Sequence, residues 1–207
     1  MIIKSFEINK KKIDKQNFFL VYGENEGLKK EVIQNLQKNL NGNIDHYDEA
    51  QILVDKELFY EKIFNQSLFE KEKIIIINRC SEKIYEIMEN IVEKNISDIK
   101  IIINANILDK KSKLRNLFEK DKELIIVPTY KDTSINLVEI TKKFFYNYKI
   151  SISQETINLL VSRCNGDRGH LRTELDKILV FIQDKKSINL EQIHKLTNLS
   201  ENFTINE

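Results

Sequence analysis

Two isoleucine runs, Ile74-Ile75-Ile76-Ile77 and Ile101-Ile102-Ile103, constrain this chain more than any other feature. Each is apolar at consecutive positions, as a strand buried on both faces must be. Phe18-Phe19-Leu20-Val21-Tyr22 has the same character and stops at Gly23, and residues 124–127 repeat it before Pro128. Amphipathic stretches lie between these runs. Leu28, Val32, Ile33, Leu36 and Leu40 have helical spacing, as do Ile84, Ile87, Met88 and Ile91 after Ser81. Asp55 is placed to cap a helix carrying Leu58, Phe59 and Ile63, and 113–120 reads as a further helix. Residues 44–47 form a short candidate strand. Strands alternating with helices predict an α/β fold, a mostly parallel sheet covered by helices.

From Ser134 the pattern is helical only, with candidates at 135–149, 153–164, 168–184 and 189–197. Gly166 and Gly169 separate the second from the third. Two domains follow: an α/β domain over 1–133 and a small helical one over 134–207, with the boundary at Asp132-Thr133-Ser134. The chain has 207 residues with only 5 Gly and 1 Pro, too few for the tight turns of an all-β sandwich. Lys+Arg 33 against Asp+Glu 32 excludes an overall basic nucleic-acid binder. The two cysteines, Cys80 and Cys164, cannot make a disulfide framework or a Cys-rich zinc site, and they fit a reducing cytosol. No apolar run approaches the roughly 20 residues that span a bilayer, and Lys4, Glu7 and Lys10-Lys11-Lys12 interrupt any signal-like segment. The expected compartment is the cytoplasm.

The strand, glycine, loop and helix at 18–40 occupy the place of a phosphate-binding loop, G-x-x-x-x-G-K-[ST]. In that register Gly23 fits and Lys29 falls on the lysine. Leu28 replaces the second glycine, and Lys30 replaces the hydroxyl that would hold Mg²⁺. Glu24 and Glu26 would repel an anion. The strand at 74–77 runs into Asn78 and Arg79, and that at 99–103 into Asn104, so neither ends on the acid a metal would need. A nucleotide-type scaffold without nucleotide chemistry accounts for these residues, and a degenerate NTPase is the alternative.

Phe64-Asn65-Gln66-Ser67-Leu68-Phe69 follows a helix and precedes a buried strand. Leu68 and Phe69 either close that helix onto the sheet or form an exposed apolar wedge for a partner's pocket. In the segment 165–177, Leu171, Leu175, Ile178, Leu179 and Ile182 form an apolar stripe, with Arg172, Glu174, Asp176 and Lys177 pointing elsewhere. A helix with ion pairs such as Glu174–Lys177 explains them, and a functional Arg172 would need an anion. His46, His170 and His194 have no metal-ligand spacing, and no Ser-His-Asp order or G-x-S-x-G stands out. Neither a metal nor a cofactor is expected.

The order of three segments resembles the delta subunit of bacterial DNA polymerase III, from the clamp loader. They are Phe19-Leu-Val-Tyr-Gly-Glu-Asn-Glu, Gln66-Ser-Leu-Phe-Glu-Lys-Glu-Lys-Ile and Asn165-Gly-Asp-Arg-Gly-His-Leu-Arg-Thr-Glu-Leu-Asp-Lys-Ile, and the tail Asn202-Phe203-Thr204-Ile205 adds to them. The resemblance covers essentially the whole chain. It implies an AAA+-like first domain, a small helical lid-type domain, and a collar domain that would begin where this chain ends. It implies that Leu68 and Phe69, flanked by Gln66 and Ser67, bind the sliding clamp (the beta subunit) and help to open it during DNA replication. It also implies that Gly23 and Lys29 are vestigial nucleotide-site positions. Arg172 resembles a sensor-2 arginine by its Gly-His-Leu-Arg setting, a third vestigial position that, with no phosphate site nearby, reads as structural. Ser162-Arg163-Cys164 spells an arginine-finger motif in the wrong domain and reads as coincidence. Partners would be the clamp, other clamp-loader subunits, and DNA through the assembled complex, with no membrane. The subunit would have no catalysis of its own within a DNA-directed DNA polymerase holoenzyme. Beside this clamp-binding reading stand a degenerate AAA+ or P-loop NTPase and a DNA-binding module.

Overall fold

The computed structural model describes residues 1–8, 13, 15–39, 43–64, 73–94, 96, 99–182, 187–188 and 190–196. The chain divides into two compact units, Met1–Tyr130 and Lys131–Glu207.

The first unit is a five-stranded parallel sheet. Its strands are β1 (Phe18–Gly23), β2 (Asn43–Asp48), β3 (Lys73–Cys80), β4 (Ile99–Ala105) and β5 (Ile125–Thr129), in the order β2-β3-β4-β1-β5. The helices are α1 (Glu26–Asn39), α2 (Glu49–Val54), α3 (Lys56–Phe64), α4 (Tyr85–Glu93) and α5 (Lys113–Lys120). The isoleucine runs are buried on both faces because strand side chains alternate. Ile74, Ile76 and Ile102 join Phe19, Val21, Ile125 and Val127 against Leu28, Val32 and Leu36 of α1. Ile75, Ile77, Ile101 and Ile103 join Leu20 and Tyr22 against Phe59, Ile63, Ile87, Met88 and Phe118 of α3, α4 and α5.

The strands outrun their apolar cores. β3 extends past Ile77 to Cys80 through a register irregularity, with Arg79 at φ 56° beside it and paired with Asp48. Pro128 lies inside β5 and does not close it. β5 is an edge strand, where a missing N–H is tolerated. β2, at the other edge, is polar and partly exposed. Asp55 Oδ1 accepts from Leu58 N at 2.9 Å and so caps α3, although Leu58 itself is exposed. Ser81 Oγ accepts from Lys83 N in a 3-10 turn, Glu82–Ile84, that leads into α4.

The second unit contains α6 (Ser134–Asn147), α7 (Gln154–Arg163), α8 (Arg168–Ile182) and α9 (Leu190–Leu196). Thr133 and Ser153 cap α6 and α7. Leu137, Phe145, Ile157, Leu160, Leu171, Leu175 and Ile178 form its core. The stripe on α8 is as its spacing predicts, with one correction. Glu174 does not point away: it is buried, and Oε1 holds Lys177 Nζ at 2.6 Å. Among the described residues no helix is long and apolar enough to cross a membrane.

Candidate functional site

In a parallel sheet the C-terminal ends of the strands are the place for a ligand. Here Gly23, Ala105 and Thr129 end β1, β4 and β5. Gly23 has φ +142°, and a Cβ there would lie 2.3 Å from Thr129 O. Glycine is required because the turn leaving β1 passes directly against β5. Thr129 Oγ1 donates back to Tyr22 O at 2.9 Å, which locks that contact.

Asn25 then fills the space at the start of α1. It is fully buried. Its amide N–H donates to Thr129 O at 3.2 Å and its Nδ2 to Tyr130 O at 3.1 Å, while Oδ1 accepts from Leu28 N at 3.0 Å. A helix N-terminus attracts anions through unpaired amides. At α1 the Leu28 amide is already capped from within the chain.

Lys29 is buried, with 2% of its surface exposed. Its ammonium donates to Ala105 O at 3.1 Å and pairs with Glu26 Oε1 at 2.6 Å. The lysine that would meet a phosphate is thus held by a strand-end carbonyl and a carboxylate. Where a metal-binding acid would stand, Asn104 Nδ2 donates to Asn78 Oδ1 at 3.2 Å. Beside the loop, the Tyr22 and Tyr130 hydroxyls lie 3.4 Å apart, and Arg115 sits over the Tyr22 ring at 5.3 Å from its centroid. Burial, with the Tyr130 hydrogen bond, pushes the Tyr22 hydroxyl well above its ordinary range.

Gly23 and Lys29 are therefore brought together by one turn. Arg172 lies in the second unit, exposed on α8. The turn before α8 is structural: Asp167 Oδ1 accepts from Gly169 N at 2.5 Å and His170 N at 3.2 Å. Arg168 makes a two-pronged bond to Asp132 at 2.8 and 2.6 Å. Arg163 Nη2 lies 3.3 Å from His194 Nδ1. Gln66, Ser67, Leu68 and Phe69 lie outside the described residues, as do Lys10-Lys11-Lys12 and the tail segment Asn202-Phe203-Thr204-Ile205. Asn25 and the Arg168–Asp132 pair were not foreseen. An Asn just ahead of a helical stretch is an N-cap signal that could have revealed the first. Asp132 and Arg168 are too far apart in sequence for spacing to reveal the second.

These features define a parallel α/β domain of AAA+-like fold, in which the turn after β1 and the start of α1 are closed by the chain's own side chains, followed by a helical unit. The domain III structure of the Thermotoga maritima replication initiation protein DnaA superposes on it with a TM-score of 0.58, covering 94% of this chain and 88% of that one at 15% identity. The chain is similar to the probable DNA polymerase III subunit delta of Rickettsia prowazekii (strain Madrid E), at 23% identity over 190 residues, which is 90% of this chain and 57% of that protein. The Bacillus subtilis DNA clamp loader delta protein (YqeN) matches in structure with a TM-score of 0.52 at 16% identity, covering 95% of this chain and 63% of that one. This chain thus spans less than two thirds of the length of either. No protein-family model matches it.

Proposed function

We propose that this chain acts as a clamp-loader subunit of the delta type, which binds a DNA sliding clamp and helps to open it during replication without hydrolysing ATP. The observation that carries the reading is the similarity to a DNA polymerase III subunit delta along 90% of the chain. Leu68 and Phe69 are the proposed anchors, with Gln66 and Ser67 beside them. Each large apolar side chain would contribute roughly 1.5–3 kcal/mol if fully buried in a clamp pocket. The docked wedge would favour a clamp conformation with a strained or open interface. Opening is then a population shift through differential binding, with no covalent step on this subunit. The other clamp-loader subunits, and DNA through them, are the further partners.

The ATP-independent part is supported by the α1 entrance. Asn25 occupies the helix start, and Lys29 is held by Ala105 O and Glu26. Gly23, Lys29 and Arg172 are proposed as vestigial positions.

Capture of the cognate clamp by the purified chain tests the proposal. Leu68→Ala combined with Phe69→Ala should abolish capture while the circular dichroism spectrum and Tm stay unchanged. Undiminished capture by the double variant would overturn the anchor assignment. Wild type that captures no clamp would overturn the function. A rise in Tm with Mg-ATP that Lys29→Ala removes would favour the degenerate NTPase instead.

A further inference from the structure

Residues 65–72, which include the proposed anchors Leu68 and Phe69, run from the end of α3 at Phe64 to the start of β3 at Lys73. Both bounding residues are tied down. Their outer neighbours, Ile63 and Ile74, are buried in the core clusters on opposite faces of the sheet. The Phe64 ring stacks on Tyr60 with centroids 5.7 Å apart, and Lys94 Nζ lies 3.8 Å from the Phe64 centroid. Lys73 reaches across to the other end. Its ammonium donates to Lys62 O at 3.0 Å and lies 3.4 Å from Asp45 Oδ2 on β2. One side chain thus joins the end of the helix to the start of the strand, with β2 as a third support.

A cap on α3 explains part of this. The last four carbonyls of a helix have no partner within it, and the dipole favours a cation at that end. A lysine within the helix would serve for that alone, and α3 has one in its last turn. Lys62 Nζ instead lies over the Tyr47 ring, 5.6 Å from its centroid. The donor to Lys62 O comes from the residue that begins β3. A bond between the two boundaries of one segment does more than finish a helix, because it fixes how far apart those boundaries stand.

A segment that docks on a partner loses conformational freedom, and it loses less when its ends are already held. We propose that Lys73, held by Asp45, is a positioning residue for clamp binding: it fixes the two ends between which Leu68 and Phe69 are presented. The inference rests on the clamp-binding reading and adds to it a residue outside the four anchor positions.

The test is the Kd of the purified chain for the cognate clamp, measured by surface plasmon resonance, with circular dichroism and Tm as checks on folding. Lys73→Met should weaken capture between about twofold and tenfold. Lys73→Arg keeps a cation that can reach Lys62 O and Asp45, and should restore most of the affinity. Asp45→Asn should weaken capture by less, because an exposed ion pair contributes little. Asp55→Ala removes the cap at the other end of α3 and should lower Tm without changing Kd. A role in stability alone predicts instead that Kd follows Tm through the whole set. Wild-type affinity in Lys73→Met, no rescue by Lys73→Arg, or equal losses in Lys73→Met and Asp55→Ala would overturn the inference and leave Leu68 and Phe69 as anchors. If Lys73→Met does not fold, an unchanged Kd in Asp45→Asn overturns it. Wild type that captures no clamp overturns the clamp reading itself, and this inference falls with it.

Discussion

At Lys29 a single ammonium joins the start of α1 to the end of β4, because it donates to Ala105 O from a site closed to water. Removing it leaves a buried carbonyl without that donor and Glu26 without that cation. We expect Lys29→Met to lower stability by about 1–3 kcal/mol in urea denaturation, with no change in any response to Mg-ATP. Gly23 is constrained more sharply, since a Cβ would sit 2.3 Å from Thr129 O. Gly23→Ala should cost more than about 2 kcal/mol, seen as a fall in the urea midpoint. The strand, glycine, turn and helix that carry Gly23 and Lys29 were legible in the sequence. Their present partners were not, because Ala105 and Thr129 lie on other strands.

Among the elements, α2 had no counterpart in the sequence reading. Glu49–Val54 is six residues long, too short for a helical period to register. It forms because Gln51 Oε1 accepts from Asp48 N at 3.1 Å and Glu49, buried, accepts from Ser81 N and Oγ at 2.8 Å each through its two oxygens. In the second unit, α7 and α8 bring Cys164 close to Glu174 and Asp167. Burial first, then those carboxylates, push the Cys164 thiol up to about 12, and burial raises the Cys80 thiol as well. The sign follows from proton counting. Above the ordinary thiol value of 9.0 the unfolded chain loses its proton while the folded thiol keeps it. The contribution is full below pH 9 and is lost as pH rises toward about 12. Stability should therefore fall over that window, and less steeply in Cys164→Ala. A thiol reagent at pH 8 should modify neither cysteine in the native chain and both in denaturant, since both are buried.

For the whole molecule, each unit has its own apolar core, a pair of clusters ending at Val127 in the first and a single cluster starting at Leu137 in the second. Residues 1–130 expressed alone should melt cooperatively and retain the parallel-sheet spectrum; a molten, uncooperative fragment would refute this. If Leu68 and Phe69 anchor the clamp, that fragment should also capture it. Periodicity and apolar runs by themselves determined the alternation of strands and helices, the change to helices near Ser134, and the loop register of Gly23 and Lys29. Those are properties of neighbouring residues, read as consecutive apolar runs and at a period of 3.6. Only the tertiary structure decided that β1 lies between β4 and β5, that β2 and β5 are the edges, and that Asn25, Thr129 and Ala105 close the entrance to α1. Those depend on groups about 80 to 100 residues apart, whose hydrogen bonds exist only once the sheet has brought the strand ends together.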